Sequence, residues 1–163
     1  MDLITENKKI VNLLPHKDIS AAAFSTAYVN MENYGHVDFI VSIGANGAGT
    51  KAVTVKEAIN TSGSSSATLA LPHYYSNATA LGSSSIANDT FAKVTMASGT
   101  FNIAASTDNL VYVIPCDADQ LTNASSMVAV GLGIATTGAA CIAGCVAVLS
   151  EPRYASDSPP SAL

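Results

Sequence analysis

The sequence predicts an all-β fold, either an antiparallel β-sandwich or a jelly-roll-like barrel, with extended N- and C-terminal arms. Short runs in which apolar and polar residues alternate with a period of two recur along the chain. Clusters of Gly, Ser and Asn separate these runs, and no stretch has the three-to-four-residue spacing of an amphipathic helix. Roughly eight or nine such runs at regular spacing favour a sandwich or barrel over a mixed α/β fold.

The length of 163 residues is that of one domain with a single core. We expect an N-terminal arm or first strand at 1–20, a β-sandwich domain at 21–150 and an extended C-terminal arm at 151–163. In the first segment, Pro15 is expected to end the short extended run IVNLLP. The last segment contains three prolines and no periodicity, so it should become ordered only when something binds it.

The first predicted strands follow one another closely. HVDFIVSI, at 36–43, directs Val37, Phe39, Val41 and Ile43 to one side. The glycine-rich segment 44–49 then predicts a hairpin to AVTVKEAI, which places Val53, Val55 and Ile59 on one face. ATLAL follows at 67–71, and a polar loop covers about 76–89.

Two more strands, TFAKVTM and TFNIAAS, flank Ala97-Ser98-Gly99, which predicts a tight hairpin. LVYVIPC then places Leu110, Tyr112 and Ile114 on one side. In VAVGLGI and CIAGCVAVL, large branched residues are predicted on one face of the strand and small residues on the other. In CIAGCVAVL the large residues are Ile142, Val146 and Val148, and the small ones are Cys141, Ala143, Cys145 and Ala147. Small-residue faces predict close packing, either of two sheets or of one sheet on a partner.

The apolar stretch 127–149 has a second interpretation, because it is long enough to cross a bilayer as a helix. Against this, Ala-Thr-Thr-Gly at 135–138 resembles a turn, and the residues alternate with a period of two. No Lys or Arg lies close on the N-terminal side. We therefore expect strands and no membrane partner, with a membrane helix as the alternative.

Charge is scarce throughout the chain. Only 12% of the residues are charged, and none is an ionisable acid or base from Gln120 to Ser150. A free monomer usually stays soluble by displaying mixed charges, so this composition favours a component of an assembly over a free enzyme. The net charge of -5 and the lack of a basic stripe argue against nucleic acid as a partner.

Motifs that would carry chemistry are weak, so we predict no catalytic, cofactor or metal site and a protein that is not an enzyme. The segment 44–49 resembles a phosphate-binding loop, but Thr50 and Lys51 are in reversed order and a strand follows. Asp117-Ala-Asp119 offers too few oxygens for Ca²⁺. The histidines do not occur in paired metal-ligand spacings; they are His16, His36 and His73.

The three cysteines allow several arrangements. Cys141 and Cys145 lie four residues apart on one predicted strand, so their Cα atoms are about 13 Å apart. A disulfide needs roughly 4.4–6.8 Å, which excludes this pair. The main interpretation is three buried small apolar residues. A disulfide from Cys116 to one of the others, or an intermolecular disulfide that locks an assembly, remains the alternative.

Three stretches of the chain resemble a family of small β-sandwich structural proteins of tailed bacteriophages. They are IVNLLPHKDIS continuing through Tyr28 into NYGHVDFIVSIGA, then STDNLVYVIPCDADQL at 106–121, and AVLSEPRYASDSPP at 147–160. The resemblance implies a capsid decoration (cement) protein that binds the outer surface of the phage head and stabilises capsomer junctions. The apolar segment 127–149 and the three cysteines depart from the family pattern.

The resemblance also implies partners and a location. The partners would be the major capsid protein and neighbouring copies of the chain in a homo-oligomer such as a trimer. The protein would be made in the host bacterial cytoplasm and reside in the virion. The alternative is another virion component, such as a tail, connector or fibre-associated β-domain. The expected contact residues are Ile10, Val11, Leu13 and Leu14 near the N-terminus, and Pro152, Arg153 and Tyr154 in the C-terminal arm.

Overall fold

A computed structural model describes residues 7–20, 24–47, 50–77, 90–96, 98–103, 108–122, 125–134, 140–153 and 162–163. Within these ranges the protein is almost entirely β, and every strand pair is antiparallel. The strands form two sheets that pack on a common core. The predicted all-β antiparallel sandwich is therefore confirmed.

Sheet A contains six strands in the order β1-β12-β4-β10-β7-β8. Its two longest strands, β4 and β12, are neighbours. The bounds are β1 Lys9–Asp18, β4 Tyr34–Asn46, β7 His73–Ser76, β8 Ala92–Thr95, β10 Leu110–Asp117 and β12 Cys141–Pro152.

Sheet B is built on the pairing of β5 with β11, and its main order is β2-β11-β5-β6. Strand β3 also pairs with β11, and β9 also pairs with β5. The bounds are β2 Phe24–Ser25, β3 Val29–Asn30, β5 Lys51–Ala58, β6 Ala67–Thr68, β9 Thr100–Ile103 and β11 Met127–Ile134. A 3-10 turn at Ala118–Gln120 follows β10.

The core lies between the sheets and follows the alternation of the strands. On β4 the predicted inward residues Val37, Phe39, Val41 and Ile43 are all buried. The rings of Tyr74 on sheet A and Phe101 on sheet B stack with their centroids 3.9 Å apart. Apolar burial on this scale is the main force that holds the sheets together. The other predicted inward residues that are buried include Val53, Val55, Leu110, Tyr112 and Ile114.

Ile59, which was predicted to share the face of Val53 and Val55, is not part of the strand. Ile59 lies just beyond the end of β5 and is 46% exposed. Glu57 is buried instead, and its carboxylate accepts hydrogen bonds from the Thr122 amide at 2.8 Å and the Thr122 hydroxyl at 2.7 Å. A buried carboxylate is tolerable only when it is hydrogen-bonded in this way.

The two connections predicted to be hairpins cross between the sheets instead. Strand β4 belongs to sheet A and β5 to sheet B, and β8 and β9 are divided in the same way. Both edges of β4 are already occupied, by β12 and β10, so β5 has no free edge of β4 to join. At the second crossing, the carbonyl of Gly99 accepts a hydrogen bond from the amide of Val55 on β5.

The described part of the predicted N-terminal arm is a strand. β1 pairs with β12 along its length and continues through Pro15 to Asp18, so Pro15 does not end it. The register shifts between Asn12 and Leu14, and again between Leu14 and Lys17. Because β1 is an edge strand, it tolerates bulges and a residue without an N–H group.

The described residues near the C-terminus lie against the protein. The amide of Arg153 donates to the carbonyl of Asn33 at 2.9 Å. The carbonyl of Ala162 accepts from the amide of Asn30 at 2.9 Å, and Ala162 is 1% exposed. At Ala162, therefore, the predicted C-terminal arm packs against the core of the protein.

The apolar stretch 127–149 is divided between β11 and β12. Its predicted turn at 135–138 lies outside the described residues, as does most of the polar loop at 76–89. Among the described residues, no helix is long and apolar enough to cross a membrane.

Candidate functional site

The outward side of sheet A is apolar across several neighbouring strands. Val146 on β12, Ile40 on β4 and Val113 on β10 lie directly opposite one another in register. Antiparallel sheets with one side in water usually place polar residues there. We call this surface the outer face of sheet A; its apolar residues are Ile10, Ile40, Val111, Val113, Pro115, Ile142, Val146 and Val148.

Strand β12 explains why large residues are exposed on this side. Its inward residues are small and buried: Cys141, Ala143, Cys145 and Ala147. Ala147 and Cys145 lie beside Phe39 and Val41 of β4, whose larger side chains occupy the core. The branched residues therefore face outward, and Ile142 is 39% exposed. The opposition of small and large faces follows the sequence prediction.

A charged cluster lies at one end of the outer face. His36 on β4 pairs in register with Asp117 on β10, and its Nδ1 is 2.5 Å from Asp117 Oδ1. Its Nε2 is 3.2 Å from Asp38 Oδ1. Partial burial by itself would lower the pKa of His36, but the hydrogen bonds and charges of Asp117 and Asp38 outweigh it and raise that pKa. The imidazolium form is therefore favoured.

The opposite end of the face carries a Ser–His contact that the sequence analysis did not identify. His16 Nε2 lies 2.7 Å from Ser42 Oγ. The imidazole lies over Gly144, where an added Cβ would be 2.8 Å from the ring. The two residues are separated by 26 positions and belong to no motif, so no local signal could have revealed the contact. In the described part of the chain, the ring makes its hydrogen bond to Ser42 alone, without the orienting carboxylate of a catalytic triad.

The predicted N-terminal contact residues divide between the two sides of β1. Val11, Leu13 and Leu14 are buried in the protein's own core, so they cannot serve as contacts with a partner and that prediction is wrong. The alternation of β1 directs these side chains inward. Ile10 is 50% exposed and lies opposite Val148, on the outer face of sheet A.

The predicted C-terminal contact residues are only partly described. Pro152 and Arg153 are exposed where β12 ends. Tyr154 lies outside the described residues. Both exposed residues lie beyond Ser150, which pairs with His36 at the charged end of the face. They therefore border the outer face of sheet A.

The three cysteines are free thiols and all are buried. Cys116 and Cys145 lie on strands at opposite sides of β4, paired with Val37 and Val41 respectively. Their Cα atoms are about 16 Å apart, because two strand spacings and four residues along the strands separate them. This distance is too large for a disulfide. Burial raises the pKa of Cys116 and of Cys145 to about 12, so both remain protonated thiols. Their burial also keeps them from reaching a thiol of another chain.

The weaker sequence motifs have structural roles. Lys51 is buried at the start of β5, and its Nζ donates to the Gly47 carbonyl at 3.4 Å. The amide of Asp117 donates to Gln120 Oε1 at 2.9 Å, which closes the 3-10 turn. The ring of His73 makes an edge contact with that of Tyr75. Among the described residues, no group of three or more His, Cys, Asp or Glu side chains is placed to hold a metal ion.

No protein-family model, no curated protein and no solved structure matches the chain.

Proposed function

We propose that this chain is a structural virion protein, a decoration protein that binds the outer surface of a tailed-phage head and stabilises capsomer junctions. The observation that carries the proposal is the apolar outer face of sheet A. Soluble monomers rarely expose contiguous apolar patches, and such patches mark sites of protein contact. The resemblance of three stretches of the sequence to phage structural proteins supports the proposal that the partner of this surface is in a phage particle.

The composition supports an assembly role. Only 12% of the residues are charged, so the chain has few groups whose desolvation would oppose close packing against neighbours. Many copies on a lattice can act together although each contact is weak. The proposed partners are the major capsid protein and neighbouring copies of the chain. The role is not enzymatic, so neither His36 nor the His16–Ser42 contact is assigned a catalytic step.

Cryo-electron microscopy of the virion whose genome encodes this chain tests the proposal. We expect discrete two-sheet density on the outside of the capsid, at junctions between capsomers. Density confined to the tail or portal axis would contradict the decoration role and favour a tail or connector component. Absence of the chain from the particle would overturn the proposal altogether.

A further inference from the structure

We propose that a second copy of this chain covers the outer face of sheet A, so that two sheets pack face to face about a twofold axis. The inference rests on the proposed role as an assembly component, and it names the partner of this surface. The axis lies in the plane between the sheets and runs across the strands, along the Val146–Ile40–Val113 row. Each of these residues then meets its own copy.

The size of the face fits such a partner. It extends across four strands, from β1 to β10, or about 19 Å, and about 25 Å along them. These dimensions give about 500 Å² in plan, and the side chains increase the accessible area. A standard interface buries about 800 Å² on each partner. Sheet-on-sheet packing at a spacing of about 10 Å is also how sandwiches form their own cores.

The pattern of side chains is self-complementary about this axis. On each strand, the twofold rotation brings together two residues from different copies. One lies two positions before the Val146–Ile40–Val113 row, and the other lies two positions after it. On β10, Pro115 of one copy therefore faces Val111 of the other. On β12, Val148 faces Gly144, over which the His16 ring of the other copy lies. Across the middle of the interface, apolar groups thus meet either apolar groups or the His16 ring.

The polar groups match as well. On β4 the same rotation places Asp38 of one copy against Ser42 of the other, beside the His16 ring bonded to it. A carboxylate then faces a hydroxyl and an imidazole, which can donate to it. Lys93 meets its own copy only at the rim, where its flexible side chain reaches water. An axis along β4 would instead place Asp38 against Asp38, which like-charge repulsion disfavours.

Analytical ultracentrifugation of the purified full chain over a wide range of concentrations tests the inference. We expect a reversible dimer. Val146→Glu would place two carboxylates together at the axis, and it should weaken dimerisation on the order of a hundredfold or more. The matched control is Ile59→Glu, which makes the same change at an exposed apolar residue outside sheet A and should leave the dimer unchanged.

A second variant guards against a folding defect. Val113→Thr keeps the shape and the strand preference of the residue but makes it polar, and it should weaken dimerisation several-fold while circular dichroism remains unchanged. A monomeric wild-type chain, or dimers that both variants leave intact, would overturn the inference. If the chain forms the dimer but is absent from the virion, the proposed function is wrong and this inference stands. If the chain is a monomer that nevertheless decorates capsids, this inference is wrong and the proposed function stands.

Discussion

Gly99 holds a left-handed backbone conformation at a crossing between the sheets. Its φ is 71°, and an added Cβ would lie 1.8 Å from the carbonyl oxygen of Leu69. Ser98 before it also has a positive φ, of 56°. A chain that leaves β8 and enters β9 must turn between sheets in very few residues, and a residue without a side chain allows it.

The substitution Gly99→Ala should therefore lower the free energy of unfolding by at least about 2 kcal/mol, from the strained φ and from the contact with Leu69. Urea denaturation followed by circular dichroism measures this. Gly44→Ala is the matched control, because a Cβ at Gly44 would make only an ordinary contact with Ile142 at 3.6 Å. Equal losses for the two variants would show that the crossing does not depend on Gly99.

His36 links the stability of the fold to pH. Its pKa in the folded protein is raised above 6.5 by Asp117 and Asp38, which outweigh the opposing effect of its burial. A raised pKa means that the folded state binds the proton more tightly than the unfolded state does. The stability contributed by His36 is thus fully present below its unfolded pKa and is lost as the pH rises through its folded pKa.

The expected result is that wild type loses stability relative to His36→Gln as the pH rises from below 6.5 through the raised pKa of folded His36. Urea denaturation at a series of pH values gives both curves, and their difference isolates this residue from other titrating groups. When both proteins also carry Asp117→Asn, the stability difference between them should depend less on pH, because one of the two carboxylates that raise the pKa of His36 is then gone. Parallel curves for wild type and His36→Gln would contradict the link.

At the scale of elements, β12 joins two neighbours and fits the core with small side chains. It pairs with β1 on one side and β4 on the other, and Cys145 and Ala147 lie inward between the sheets. Protein interiors are close-packed, so an added volume there must displace a neighbour. The outward side chains of β12 have no such restriction.

Ala147→Leu should lower the free energy of unfolding by about 1–3 kcal/mol, because it overfills the space beside Phe39. Val148→Leu, one residue further and on the outer face, should cost less than about 0.5 kcal/mol. Chemical denaturation of the two variants in parallel measures both losses in the free energy of unfolding. A larger loss for Val148→Leu would mean that the faces of β12 are assigned the wrong way round.

The long strands could be predicted because their alternation is local. β10, β4 from Val37 to Ile43, and β12 from Cys145 to Leu149 bury every second residue, and the sequence displays that pattern directly. Short strands such as β2 and β7 are too brief to show a period. The sequence also could not show to which sheet each strand belongs. A glycine-rich connection is equally compatible with a hairpin within one sheet and with a crossing between two sheets.

At the scale of the whole molecule, the candidate surface exists only because strands distant in sequence become neighbours. Each strand contributes a few outward residues, such as Ile40 from β4 and Val113 from β10, and register alone aligns them. The same holds for His36 and Asp117, which are 81 positions apart. The sequence therefore indicated an assembly protein through its low charge, but it could not locate the surface.

The pairing of β12 with both β1 and β4 sets an order of events during biosynthesis. Asp18 at the end of β1 is separated from Cys141 at the start of β12 by 123 positions, so β1 leaves the ribosome long before its partner. Until then β4 also has an open edge, and such edges invite pairing with other chains. Val146 and Val148 arrive with that same strand. The surface proposed for self-association is thus completed only after β12 has been made, so a chain that still lacks β12 cannot form the proposed dimer.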